Sequence, residues 1–156
     1  LREPTFERVF VKWKRNFVAE LENGVIVRAY FTDGVVEEKV ETETAEILKE
    51  RLTDYFSAKP VDFSEFRVVY PTRFAERVLR EVRKIPYGAV ETYSSLAGRL
   101  STSPRAVGVA LRMNLVPVIV PCHRVVAKGG LGGFSSGVEV KKLLLEMESK
   151  VSQETL

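Results

Sequence analysis

Along the first seventy residues, apolar and polar positions alternate with the period of a β-strand. In FERVFVKWK, which starts at Phe6, and in GVIVRAYFTDG, which starts at Gly24, the apolar positions are β-branched, aliphatic or aromatic. That is the pattern of a sheet with one buried face. Asn23-Gly24 lies between the two stretches and Asp33-Gly34 follows the second. Asn and Gly tolerate positive φ, so the first dipeptide predicts a tight hairpin and the second another turn. The period then lengthens. In TAEILKERLTDYF the apolar residues Ile47, Leu48, Leu52, Tyr55 and Phe56 fall on one face of a helix. This half reads as a small α/β unit with an antiparallel sheet. Nothing in it clusters as chemistry, and its expected role is to support the second half.

A linker is expected from about Ser57 to Pro71, marked by Pro60 and Pro71, which divides the chain into residues 1–70 and 71–156. The second unit is mostly helical. TRFAERVLREVRKI is amphipathic, with Phe74, Val78, Leu79 and Val82 on its apolar face, and Pro86-Tyr87-Gly88 supplies a turn beyond it. TYSSLAGRL is a short helix that Thr92 can cap. After the turn Ser101-Thr102-Ser103, Ser103 is placed as N-cap and Pro104 as first-turn proline for RAVGVALRMN. Two short helices joined by three or four residues read as a helix-turn-helix. On the second of them, Gly108 and Ala110 keep a face small, and Arg105 and Arg112 lie two turns apart, as basic side chains do on recognition helices. The apolar run from Val116 to Val120 predicts a strand broken at Pro121, which has no N–H for a ladder.

Composition narrows the function classes. The chain has 156 residues, 45% of them hydrophobic, enough for a real core without covalent staples. No stretch approaches the roughly 20 apolar residues of a membrane span, and the charged, aromatic start LREPTFERVFVKWKRNF has no signal-like apolar run. A soluble, monomeric, intracellular protein is expected, cytoplasmic or, in a eukaryote, nuclear, with no membrane partner. Three Asn, one Gln and 29% charged residues point toward heat adaptation. The net charge of +3 is unevenly spread: residues 1–70 hold 11 Lys and Arg against 14 Asp and Glu, whereas residues 71–156 hold 13 against 7. The basic half is the candidate for a polyanionic partner.

The candidate chemistry sits in Val120-Pro121-Cys122-His123-Arg124-Val125-Val126. Cys122 is the only cysteine and His123 the only histidine. An intramolecular disulfide is therefore impossible, and a four-ligand Cys/His zinc site is not expected; no metal or cofactor is called for. His and Arg beside a thiol favour the thiolate. In an extended backbone, successive side chains point to opposite faces, so Cys122 and His123 are expected to communicate through a water rather than directly. No Asp follows Asp62, so a carboxylate that orients His123 from this half must be a glutamate. Glu148 in KKLLLEMES is the choice, with Glu91, Glu139 and Glu146 as competitors. Five of the ten residues from Lys128 to Gly137 are glycine, a composition that lets backbone approach a ligand closely. The GxxxxGK[ST] order of a phosphate loop is absent, so this segment reads as a pocket wall.

Taken together, these residues resemble the O6-alkylguanine-DNA alkyltransferase family. Pro-Cys-His-Arg, with an apolar residue before it and two after, carries the resemblance, which extends over about residues 74–148. The resemblance implies an irreversible enzyme of DNA repair: a methyl or other alkyl group passes from O6-alkylguanine, or O4-alkylthymine, in double-stranded DNA to Cys122, once per molecule, without a cofactor. It implies His123 as the water-linked base, Glu148 as its orienting group, Tyr93 as donor to the guanine edge, and Asn114 as the hinge between recognition helix and thiol. Ser135 or Ser136 would contact the O6 oxygen, with Val126 and Gly137 also at the base. Arg105 would fill the gap left by the flipped nucleotide, with Ser103, Ala106, Arg112 and Thr92 also on the DNA. Two departures stand out: Leu115 occupies the place of the proline that usually follows the hinge asparagine, and the loop after Cys122 is about one residue shorter than in some relatives. The zinc ligands of some members are missing. A non-catalytic module that only binds alkylated DNA is the alternative, and the presence of Cys122 argues against it.

Overall fold

The computed structural model describes residues 4–154. Its N-terminal part is a meander of three antiparallel strands, β1 (Phe6–Val11), β2 (Asn16–Glu22) and β3 (Val25–Thr32), in spatial order β1-β2-β3. Asn23 and Gly24 both adopt positive φ (52° and 78°) and join β2 to β3, the geometry of a primed two-residue hairpin. The sequence pattern placed this turn correctly but did not reveal β2. The reason is burial: Phe17 through Leu21 are all buried, so the central strand has apolar neighbours on both sides and shows little alternation.

Helix α1 (Glu43–Phe56) packs on β1 and buries Ala45, Leu48, Leu52, Tyr55 and Phe56. Its start is fixed twice over. The Thr42 hydroxyl accepts from Ala45 N–H, and the buried Glu7 carboxylate accepts from the Glu41 and Thr42 amides at 2.8 Å each. A carboxylate there meets the positive end of the helix dipole. Burial alone would raise Glu7, but these hydrogen bonds outweigh it and hold the group below its ordinary value.

Residues 57–72 form no helix or named strand, as the prolines predict, yet they are stitched down. Phe63 and Phe66 are buried. Their carbonyls accept from Arg83 Nη2 at 2.8 Å each, and Ile26 N–H donates to the Arg67 carbonyl at 2.8 Å.

The rest of the chain is α2 (Arg73–Val82), β4 (Glu91–Thr92), α3 (Tyr93–Arg99), α4 (Pro104–Arg112), a 3-10 turn at Cys122–Arg124, β5 (Val125–Val126) and α5 (Val138–Glu154). A small antiparallel sheet followed by a mainly helical part is the architecture read from the sequence. Helix α2 buries Ala75, Val78, Leu79 and Val82, whereas Phe74, assigned to the apolar face, is 37% exposed. Ala75 takes the inward place because small side chains let α2 approach its neighbours closely. The buried apolar residues form one continuous cluster, from Val9 in β1 through α1 and α2 to Val140 and Leu144 in α5.

Candidate functional site

Three local features build the site. The first is the helix pair. Thr92 caps α3 and Ser103 caps α4, each accepting from the backbone N–H three residues on, and Pro104 opens α4. Helix α3 ends with Ser101 at φ 54°, Ser101 N–H on the Gly98 carbonyl and Thr102 N–H on the Ala97 carbonyl, a Schellman ending built on serine instead of glycine. Arg77 of α2 donates to the Leu100 carbonyl and ties this turn to the body. Arg105 and Arg112 are exposed on α4, while Val107, Ala110 and Leu111 face the core.

The second feature is the approach to the thiol. Val116–Val120 does not form the expected strand. Val118 has φ 74°, Val120 N–H returns to the Val116 carbonyl at 3.0 Å, and Pro121 (φ −79°, ψ 61°) centres an inverse γ-turn closed by Cys122 N–H on the Val120 carbonyl at 2.8 Å. An apolar run buried on every side has no periodicity to tell strand from turn, and prolines at 117 and 121 deny it a ladder. Cys122 therefore opens a 3-10 turn rather than ending a strand. Asn114, just beyond α4, clasps this turn: its Nδ2 donates to Cys122 Sγ (3.2 Å) and to the Val120 carbonyl (3.1 Å), and its Oδ1 accepts from Val116 N–H (3.1 Å).

The third feature is α5. Lys141 and Glu148 are seven residues apart, two turns along one face, and both are buried against the Cys122–Arg124 turn. Of the four candidate glutamates, Glu148 reaches His123, with Oε2 2.7 Å from Nε2. Glu139 and Glu146 are exposed, and Glu91 is bound to Arg99. Arg124 donates to Glu148 twice, Nε to Oε1 at 2.8 Å and Nη2 to Oε2 at 3.2 Å, and to the Ile85 carbonyl. Burial would raise the Glu148 carboxyl, but His123 and Arg124 outweigh it and bring it to about 2. Burial pushes His123 down, and the Arg124 and Lys141 charges add to this against the pull of Glu148. A neutral ring that donates Nε2–H to Glu148 leaves Nδ1 as a bare acceptor. Nδ1 is buried and has no hydrogen-bond partner.

The thiol itself departs from the expectation. Burial raises it to about 11, opposed by the Asn114 hydrogen bond and the charge of Lys141. Arg124 does not serve the thiolate, because its guanidinium is committed to Glu148 and Ile85. The nearby cation is Lys141, a fully buried lysine of α5 that belongs to no motif in the sequence. Its Nζ donates to the Val125 (2.7 Å) and Gly133 (2.9 Å) carbonyls, and burial pulls its ammonium down to about 8.

Tyr93 reaches the thiol through the two-residue parallel pair β4–β5, in which Glu91 faces Val125 and Thr92 faces Val126. This pairing sets the first residue of α3 beside the Cys122–Arg124 turn. The Tyr93 hydroxyl donates to the Gly133 carbonyl at 3.5 Å. Gly132 has φ 74°, and a Cβ there would stand 2.8 Å from the Tyr93 ring, so the loop approaches Tyr93 as closely as glycine permits.

A cavity of about 450 Å³ lies between the helix pair and the glycine-rich loop. Cys122 and Tyr93 line it from the protein interior, Arg105, Gly108 and Arg112 from α4, and Gly133, Phe134 and Ser135 from the loop. Ser136, Val126, Gly137, Thr92, Ser103 and Ala106 do not line it. A larger cavity of about 560 Å³ lies on the far side of Pro121 and Arg124, but neither the thiol nor Tyr93 opens on it. Among the described residues, no group of three or more His, Cys, Asp and Glu is placed to hold a metal ion, and no helix is long and apolar enough to cross a membrane.

A buried thiol at one end of a cavity, with a His–Glu pair behind it and an arginine-bearing helix across it, defines a cysteine-centred site facing a helix pair. Residues 73–150 match the family described as 6-O-methylguanine DNA methyltransferase, DNA binding domain. The methylated-DNA–protein-cysteine methyltransferase of Sulfolobus acidocaldarius is 47% identical over 131 residues, which cover 84% of each chain. Among solved structures, the O6-methylguanine-DNA methyltransferase of Pyrococcus kodakaraensis KOD1 superposes with a TM-score of 0.72 at 27% identity, over 92% of this chain and 99% of that one. The OGT protein of Mycobacterium tuberculosis, solved in complex with DNA, superposes with a TM-score of 0.74 at 25% identity, over 92% and 93%. The chain belongs to the methylated-DNA–protein-cysteine methyltransferase family.

Proposed function

We propose that this protein repairs O6-alkylguanine, and O4-alkylthymine, in double-stranded DNA by moving the alkyl group to Cys122. The observation that carries this reading is the cavity that Cys122 shares with Tyr93, Ser135 and the exposed Arg105. It is a concave site with a nucleophile at one end and polar groups converging on it.

The division of labour follows the chain. Residues 1–70 support the site, and residues 71–156 bind DNA and carry out the transfer. Helix α4 lies on the duplex, with Arg105 filling the space of the extruded nucleotide. Thr92, Ser103, Ala106 and Arg112 contact the strand around it. The base flips into the cavity, where Ser135, which lines it, faces the O6 oxygen; Ser136, Val126 and Gly137 shape the neighbouring backbone. His123 Nδ1 takes the thiol proton through a water, and Glu148 balances the imidazolium that results. The Asn114 amide and the Lys141 charge support the thiolate. The sulfur lone pair attacks the alkyl carbon as the carbon–oxygen bond breaks. The released electron pair moves into the guanine ring, where Tyr93 donates a hydrogen bond or proton. The products are guanine and S-alkylcysteine, and since a thioether does not hydrolyse, each molecule acts once. The protein acts as a monomer in the compartment that holds the DNA, the cytoplasm or, in a eukaryote, the nucleus.

Cys122→Ser tests the assignment. An alkoxide is far harder to form than a thiolate, so transfer should be abolished while affinity for O6-methylguanine duplex stays within about threefold, roughly 0.6 kcal/mol. Both are read from one gel-shift and label-transfer series. Label that still moves to the Ser variant would refute Cys122 as the acceptor.

A further inference from the structure

Helix α1 belongs to the half of the chain with no assigned chemistry, yet one of its residues enters the site. Tyr55 is fully buried. Its hydroxyl donates to Glu148 Oε2, the oxygen that faces His123 Nε2, and lies 3.4 Å from Nε2 itself. The ring is gripped on three sides, with Phe56, Phe63 and Tyr87 at centroid distances of 5.0, 5.8 and 6.0 Å. The hydroxyl therefore has little freedom to leave Glu148.

We propose that Tyr55 is a positioning residue of alkyl transfer: its hydroxyl holds Glu148 Oε2 against His123 and takes up part of the carboxylate charge, so that His123 stays neutral and able to accept a proton. This rests on the reading of His123 as the base for Cys122. A carboxylate shared among several donors is a weaker pull on any one of them. Glu148 already serves Arg124 with both oxygens, and Tyr55 is the neutral donor that competes directly with His123 for Oε2. The other groups around His123 are Lys141 from α5 and Arg124 and Cys122 in its own turn, while Tyr87, between α2 and α3, lies against Tyr55 and beside Arg124 and Glu148. Both cations disfavour the imidazolium, and among the described residues Glu148 alone favours it. Removing the hydroxyl leaves that one favourable partner stronger. His123 should then protonate at higher pH.

The test is the pH dependence of the transfer rate for wild type and Tyr55→Phe, on methylated duplex and on free O6-benzylguanine. The ring, and hence the packing, is retained in the variant. The expected result is an acid limb displaced toward higher pH by roughly half a unit to one unit, the scale of one neutral hydrogen bond to a charged group. The displacement should be the same on both substrates, with DNA affinity unchanged. A profile that superposes on wild type, or one lowered equally at every pH, would overturn the role, since a merely structural tyrosine could do no more than that. Site-specific 3-fluorotyrosine at position 55 makes the opposite perturbation. A stronger donor should move the limb to lower pH, and this result stands even if the Phe variant folds poorly. Wild type that transfers alkyl groups to Cys122 while neither variant moves the limb would remove Tyr55 from the mechanism and leave the proposed function intact. Wild type without transfer would remove both.

Discussion

Replacing Glu148 with alanine should cost both stability and activity. Glu148 is 1% exposed and, among the described residues, is the only carboxylate bonded to Arg124, itself 6% exposed. Without it a guanidinium, an imidazole edge and the Tyr55 hydroxyl are left buried around a hole. Breaking a buried ion pair by deleting one partner typically costs about 3–5 kcal/mol, a large share of the roughly 5–15 kcal/mol that holds a domain together. Urea unfolding of Glu148→Ala should show a loss of this size, and label transfer should fall below detection; a loss under about 1 kcal/mol would mean the pair is not coupled to folding. The pH dependence has a definite sign. Because the folded carboxyl is held at about 2 against an ordinary 4.5, its contribution is fully present above 4.5 and is lost as the pH falls toward 2. Wild type should show that acid loss, and the alanine variant should lack it.

Arg105→Ala should separate extrusion of the base from chemistry on it. Arg105 is exposed in the first turn of α4 and lines the cavity that holds Cys122, and its side chain makes no hydrogen bond to the rest of the protein among the described residues. Removing it should therefore leave fold and thiol untouched. Pulling a base from a duplex costs a few kcal/mol, and each 1.4 kcal/mol is a factor of ten. Repair of duplex DNA should slow roughly ten- to a hundredfold, while reaction with free O6-benzylguanine, which needs no extrusion, should change less than about twofold. Equal slowing on both substrates would place Arg105 in the chemistry instead.

Much of this site was legible in the sequence because its residues are rare or sit at fixed local spacings. The single cysteine and histidine lie side by side, and the caps Thr92 and Ser103 and the proline at 104 mark the two short helices. The lack of aspartate after Asp62 narrowed the carboxylate to a glutamate. What was not legible was long-range. Tyr55 and Glu148 are 93 residues apart, and at helical spacing a tyrosine among apolar residues looks like core until its hydroxyl is seen to have a charged partner. Lys141 was hidden in the same way. A lysine beside Lys142 at the start of a helix reads as a solvated face, and only the fold shows its ammonium closing on the Val125 and Gly133 carbonyls. A faint signal existed, since Lys141, Leu144 and Glu148 share one stripe of α5 with Val140. The role of Arg124 was misplaced because adjacency in sequence suggested adjacency of charge, and the 3-10 turn sends the guanidinium to Glu148 rather than to the thiol.

In the proposed reaction Cys122 accepts the alkyl group once and irreversibly. The most direct measurement is the intact mass of the protein after incubation with excess O6-methylguanine duplex, followed by peptide mapping. The expected result is complete conversion to a species heavier by one methyl in place of one hydrogen, confined to the peptide that contains Cys122, with one guanine restored per protein molecule and no further repair on adding fresh DNA. Repair of more than one lesion per molecule, or a methyl group on any other residue, would contradict it.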